Sequence, residues 1–255
     1  MKKSNLYYKT LFQRRNVIMD TLLDFFLALS SWPRLILEVP IRRNMGERYF
    51  RFSIAVWLII IMSFMPLFIY SKSPYQYRDD AVFTFVKMFF TWYAYVGYFA
   101  YSAWQRRLEI KRLPGAFDFQ RFSLSTGQIH ERFRNFEFNG QRLTTRQIET
   151  LLEPGFFFFT GILLGLLNQP IGGVFHLCSL FYAFSYQAQY RKGDDFILDK
   201  IDEQIANEEL VKAFVEGEDA TDTRGFNFYG RRPADPDARR RVADLFADDE
   251  VAVAF

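Results

Sequence analysis

Hydrophobic positions in this chain gather into a few blocks separated by strongly charged stretches. The longest block, Gly155 to Tyr190, contains no Asp, Glu, Lys or Arg, and it is interrupted in its middle by Asn168-Gln169-Pro170 and Gly172-Gly173. A run too long for one ordinary span, with a polar, proline-containing break at its centre, predicts a helical hairpin that reverses within or across a bilayer. Each arm keeps about sixteen residues, or roughly 24 Å of helix, which is short but usable where the bilayer thins. Two short spans are favoured over a re-entrant loop, which remains the other reading of the same residues.

Two more blocks precede it. Phe52 to Tyr70 is uncharged between Arg51 and Lys72, and at about 28 Å of helix it matches the hydrocarbon thickness. Pro66 near its end is a feature that membrane helices tolerate. Ala81 to Trp104 reads as the next span. It is crowded with Tyr and Trp, has Lys87 as its charge, and carries Gly97 and Ala100 on a strip of small residues suited to close helix packing. Lys87 is expected to snorkel to the interface.

Upstream, Ile18, Leu22, Phe25, Phe26 and Leu29 recur at helical spacing, with Asp20 and Asp24 on another face. This predicts a helix lying along the membrane surface or against the bundle and ending at Trp32-Pro33, followed by a basic group, Arg42, Arg43, Arg48 and Arg51, placed to meet anionic headgroups. Residues 105–154 are polar. Pro114-Gly115 suggests a break, Phe117 to Leu124 alternates like a strand, and Asn139-Gly140 lies between alternating residues as in a tight hairpin. Thr144 and Gln147 have capping-box spacing for a short helix that Pro154-Gly155 should end. After the long block, Asp194 to Val215 predicts an amphipathic helix with Leu198, Ile201 and Ile205 on its apolar stripe. Residues 216–234 read as a flexible linker, Asp235-Pro236 as the start of a last helix, and the final VAVAF as a frayed end rather than a docking tail.

The fold class expected is therefore a mainly α integral membrane protein with four transmembrane helices, the last two a short hairpin, and small cytoplasmic α+β elements. Its segments are a basic cytoplasmic or interfacial stretch (1–51), the first two spans (52–104), a cytoplasmic segment (105–154), the hairpin (155–190) and an acidic tail (191–255).

Composition and charge sharpen this picture. Aromatic residues make up 19% of the chain, with 31 Phe concentrated in the blocks, which suits lipid contact. The formal net charge of +3 hides unlike ends. Residues 1–51 hold ten Lys/Arg against four Asp/Glu, a balance of +6, whereas residues 191–255 hold ten against seventeen, a balance of −7. Nine Lys/Arg in 105–154, against Lys72 and Arg78 in the preceding loop, place the N-terminus and the 105–154 segment in the cytoplasm. Arg191-Lys192 put the tail there too. Asp20 and Asp24 interrupt the first apolar stretch, so no cleaved signal peptide is expected.

Candidate chemistry is sparse. His130 and His176 have no metal-ligand spacing, and the single cysteine, Cys178, precludes a cysteine zinc cluster or an intrachain disulfide. His176 is expected to make a hydrogen bond between helices, and Gly161 and Gly165 to form a close contact. Asn168, Gln169 and Pro170 form the hairpin turn. No catalytic, metal or cofactor site is expected, and no cofactor. Partners expected are the lipid bilayer, other membrane or cytoplasmic proteins, and a second copy of the chain; nucleic acid is not expected. These features point to a non-enzymatic docking subunit of a larger membrane assembly, such as secretion or conjugation machinery in a bacterial inner membrane. The alternative is a small transporter or channel that uses the 155–190 hairpin as pore or gate, drawing on Lys87, Asn168, Gln169 and His176.

Overall fold

The computed structural model describes residues 6–12, 17–73, 80–111 and 122–248. The chain is mainly helical. The break at Pro114-Gly115, the start of the alternating stretch at Phe117, most of the loop before Ala81 and the VAVAF terminus lie outside the described residues. Two compact units divide the chain, Leu23–Ala188 and Met1–Leu22 with Gln189–Phe255.

Helix α1 covers Leu6–Leu11 and α2 covers Val17–Ile41. The stop expected at Trp32-Pro33 does not occur, because α2 continues through both Pro33 and Pro40. An internal proline costs a helix about 3 kcal/mol. Burial offsets it, since Leu35, Ile36, Leu37 and Val39 are all withdrawn from solvent, each contributing roughly 1.5–3 kcal/mol.

Helices α3 (Phe52–Ser71) and α4 (Ala81–Ile110) pack against each other through Ala55, Leu58, Met62, Phe89, Trp92 and Val96. Aromatic residues of α4 satisfy the carbonyls that prolines leave without an amide. Pro66 has no N–H for the carbonyl four residues earlier, Met62, and the Trp92 indole N–H donates to that oxygen at 2.7 Å. Pro40 does the same to Ile36, and the Tyr95 hydroxyl donates to the Ile36 carbonyl at 2.8 Å. Much of the remaining surface of these helices is apolar and uncovered, as at Trp57, Phe64, Phe68, Phe83 and Phe90.

The residues after α4 pair with the loop after α2. Gly46 N–H donates to the Ser125 carbonyl, Arg48 N–H to that of Ser123, and Gln128 N–H to that of Arg43. Residues 122–128 thus run along 43–49 instead of forming a strand of their own. Short helix α5 (Glu131–Arg134) precedes a hairpin of β1 (Glu137–Phe138) and β2 (Gln141–Arg142). Its turn, Asn139-Gly140, has φ of 52° and 73°, the left-handed pair that a tight hairpin turn requires.

Helix α6 (Thr145–Gln147) opens with a capping box between Thr144 and Gln147. A π-helical turn, Ile148–Leu152, connects it to α7 (Glu153–Leu166), so Pro154-Gly155 does not end the helix. The wide turn explains the difference. Glu153 N–H bonds to the Ile148 carbonyl, and Pro154 then occupies the first turn of α7, where a missing N–H is tolerated. Asn168, at φ 55°, and a Gln169 N–H bond to the Leu164 carbonyl reverse the chain into α8 (Ile171–Val211). Among the described residues, Phe52–Ser71 and Thr145–Leu166 are long and apolar enough to cross a membrane.

In the smaller unit, α8 continues without interruption through Arg191-Lys192, so the separate helix expected from Asp194 is its extension. The expected stripe is kept only at Ile205, which packs against the core. Leu198 and Ile201 are exposed, while Ala206, Leu210 and Ala213 form the core with Tyr8 and Phe226. Residues 216–234 are not a flexible linker, since Thr223 and Phe226 are buried and the Thr223 hydroxyl donates to the Phe226 carbonyl. Arg224 reaches Glu208 at 2.5 Å and Glu209 at 2.6 Å. Asp235 accepts the Asp237 and Ala238 amides at the start of α9 (Pro236–Asp248).

Candidate functional site

The largest concentration of polar chemistry in the Leu23–Ala188 unit is a buried ionic network. It draws on three helices, each contributing residues four apart, so that each set lies on one face. From α2 come Arg34, Glu38 and Arg42; from the π turn and the head of α7 come Glu149 and Glu153; from α8 come Tyr182 and Tyr186. Tyr49, in the loop after α2, completes the set. Arg42, Glu38, Glu153 and Tyr182 are fully buried.

Arg42 stands at the centre. Its Nη1 reaches Tyr186 Oη at 2.6 Å, Thr126 Oγ1 at 3.0 Å and Glu149 Oε1 at 3.1 Å. Its Nε, at 3.2 Å, and Nη2 converge on Glu153 Oε2, which also accepts from the Tyr182 hydroxyl at 2.5 Å. On the other side, Arg34 donates to Glu38 Oε1 from Nε and Nη2, at 3.3 and 3.2 Å, and to Tyr49 Oη at 2.9 Å. Glu38 accepts further bonds from the Tyr49 and Tyr186 hydroxyls, the latter at 2.8 Å. The Arg34 guanidinium lies 4.0 Å from the Tyr186 ring centre, a cation–π contact that adds to its hydrogen bonds.

Burial alone would raise the Glu38 carboxyl, but Arg34 and Arg42 outweigh it and hold the group below the usual carboxylate range. Two guanidinium groups face three carboxylates, leaving one negative charge in excess if all are ionised. Glu153 Oε1 is buried and receives no hydrogen bond among the described residues. The arrangement fixes the register of α2, α7 and α8, and it leaves one carboxylate oxygen able to take a proton or a cation.

The residues singled out in the sequence lie elsewhere. Gly161 and Gly172 meet across the hairpin: a Cβ on Gly161 would come 2.8 Å from the Gly172 carbonyl oxygen, and one on Gly172 would come 2.5 Å from that of Gly161. Gly172 thus sits against the backbone of both Gly161 and Gly165, the latter through its N at 2.9 Å from a Cβ on Gly172. A Cβ on Gly165 or on Gly97 would meet nothing within 4 Å, and Ala100 is half-buried. Asn168 is exposed in the turn that Pro170 completes. Gln169 accepts from Thr91 Oγ1 at 2.7 Å and donates to the Lys87 carbonyl at 3.4 Å, which fastens the turn to α4. The Lys87 side chain is exposed. His176 meets the Phe158 ring of α7 edge-on at 4.8 Å.

Arg42 is not a headgroup contact. It lies inside the protein, whereas Arg43, Arg48 and Arg51 remain exposed. The sequence signal for the network was the i, i+4, i+8 series Arg34, Glu38 and Arg42 within an apolar stretch. Such a series belongs in a helix core only if its charges are paired.

Compared with protein-family models, with curated proteins and with solved structures, the chain has no significant match.

Proposed function

We propose that this chain is a multi-pass membrane protein without catalytic activity of its own, which docks another protein in a larger assembly. In this reading α3, α4 and the two hairpin arms make four crossings, and both termini lie on the cytoplasmic side of a bacterial inner membrane. The distribution of Lys and Arg supports that orientation.

The observation that carries the docking role is an uncovered apolar ridge on the distal part of α8. Phe196, Ile197, Leu198 and Ile201 are each about half or more exposed, beside Asp195, Asp199 and Asp202. An apolar surface bordered by acids suits a partner helix whose apolar face is bordered by Lys and Arg. Co-purification in mild detergent tests it. A partner retained by the wild type and lost from Phe196→Asp/Ile201→Asp supports the proposal, and a discrete lone monomer from native membranes overturns it.

One observation favours the transporter alternative, namely the excess carboxylate and the unpartnered Oε1 of Glu153. The fastening of Gln169 to Thr91 weighs against the turn acting as a gate. Proton or cation flux through reconstituted protein, abolished by Glu153→Gln, is the result that replaces docking with transport.

A further inference from the structure

A cleft of about 530 Å³ lies in the Leu23–Ala188 unit, apart from the buried network. One long wall is a single face of α4, running from Tyr98 and Tyr101 through Gln105 to Arg106 and Glu109 at helical spacing. Its lining is of two kinds. Phe133 and Phe156 contribute rings 5.6 Å apart and edge-on. Arg43, Arg106 and Arg132 also line the cleft.

Positive charge in this cleft is not balanced from within. Glu109 is the carboxylate that lines it, and Glu109 is already committed: Arg106 Nη1 donates to its two oxygens at 2.6 and 2.8 Å, and the Asn44 N–H donates to Oε2 at 2.9 Å. Arg106 is 7% exposed, and among the described residues its Nε has no hydrogen-bond partner. A buried guanidinium N–H without an acceptor is unfavourable.

We propose that this cleft binds a phosphate group, with Arg106, Arg43 and Arg132 as its donors. A guanidinium fork matches the geometry of phosphate oxygens, and three of them around one committed carboxylate leave room for the negative charge that phosphate brings. The aromatic lining accepts the non-phosphate part of the ligand. Two sources supply such chemistry, the headgroup of an anionic phospholipid at the end of α4, or a phosphate compound from solution. The proposal is independent of the docking role assigned to the distal part of α8.

The test uses the full chain purified in a neutral detergent and titrated separately with phosphatidylglycerol, phosphatidylcholine and inorganic phosphate, with binding read by native mass spectrometry and by the thermal midpoint. Arg132→Gln alters an exposed side chain and keeps the test intact if Arg106→Gln fails to fold, and Arg48→Gln, outside the cleft, is the control. Phosphatidylglycerol binding that weakens about tenfold in Arg132→Gln and is unchanged in Arg48→Gln supports the site with lipid as its source, given that a lost charge-assisted hydrogen bond is about a tenfold effect. Inorganic phosphate binding with the same dependence, without phosphatidylglycerol binding, supports the site with a soluble source. The proposal is overturned if neither binds, if phosphatidylcholine binds equally well, or if Arg132→Gln binds as tightly as wild type.

Discussion

Arg42 and Glu153 lie 111 positions apart in the chain, yet two guanidinium nitrogens of Arg42 converge on one carboxylate oxygen of Glu153 in the protein interior. A buried pair of this kind adds little net stability compared with apolar residues of the same size, but breaking one half leaves a charge stranded. Arg42→Met is therefore expected to lower unfolding free energy by about 3–5 kcal/mol. Adding Glu153→Gln to Arg42→Met should recover part of that loss, because it removes one of the stranded carboxylates. Thermal midpoints of the two single variants and the double variant in detergent check the coupling. Additive effects would mean that the two groups do not interact.

Trp92 and Pro66 form a second dependent pair. Without its indole N–H, the Met62 carbonyl has no donor, because Pro66 cannot supply one. Trp92→Phe should destabilise by about 1–3 kcal/mol, the effect of stranding a buried acceptor beyond any packing loss. Its effect should shrink when combined with Pro66→Ala, which restores a helical N–H to the same oxygen. A double-mutant cycle measures the difference directly.

The hairpin makes a prediction about glycines that look alike in sequence. Gly161→Ala and Gly172→Ala push a methyl group against facing backbone and should destabilise by about 1–3 kcal/mol. Gly165→Ala and Gly97→Ala meet open space, and relief of glycine's conformational freedom should make them neutral or stabilising by up to about 1 kcal/mol. Thermal midpoints of the four variants separate the two groups.

These examples show which parts of the fold were legible in the sequence. Local signals were readable: the Thr144 and Gln147 capping box and the Asn139-Gly140 turn depend on residues within four positions of each other. Phe52 to Tyr70 was readable because a long uncharged run is its own signal. Prolines misled twice in the same way. At Pro33 and Pro154 a local rule for ending helices was overridden, by burial of the following turn in one case and by a π turn in the other. The ionic network was only partly legible, because Arg34, Glu38 and Arg42 form a local series in α2, whereas the pairing of Arg42 with Glu149 and Glu153 depends on contacts more than a hundred residues apart.

Acid should act on the smaller unit through Glu208 and Glu209. Hydrogen bonds from Gln204 and then Arg224 lower the Glu208 carboxyl, and a bond from Lys212, followed by Arg224, lowers that of Glu209. A carboxyl lowered in the folded state adds stability that is fully present above the unfolded value and is lost as pH falls through the folded one. Carboxyl carbon NMR shifts should titrate below the ordinary glutamate range in wild type. In Arg224→Gln they should move back towards it, and equal titration in both proteins would show that Arg224 has no part.

Topology is open to labelling in a Cys178→Ser background. Single cysteines at Asn139 and Thr221 should be protected from a membrane-impermeant thiol reagent in intact cells, while those at Ser73 and Leu167 should react. Leu167 is the better probe of the hairpin turn, since Gly172 has no room for a side chain. Protection of Leu167 from both sides would favour a re-entrant hairpin over two crossings.

The π turn at Ile148–Leu152 makes residue count matter in this stretch as much as residue identity. Each residue advances a helix by about 100°, and the wide turn holds one more residue than an α-helical turn would. Deleting one residue there would let the helix close into an ordinary spiral. Because the wide turn already absorbs that residue, the flanking helix would keep nearly the same relative rotation, and Glu149 and Glu153, then three positions apart, would still share a face. The stretch should therefore tolerate the loss of that one residue better than a further insertion, since the wide turn already holds the extra one.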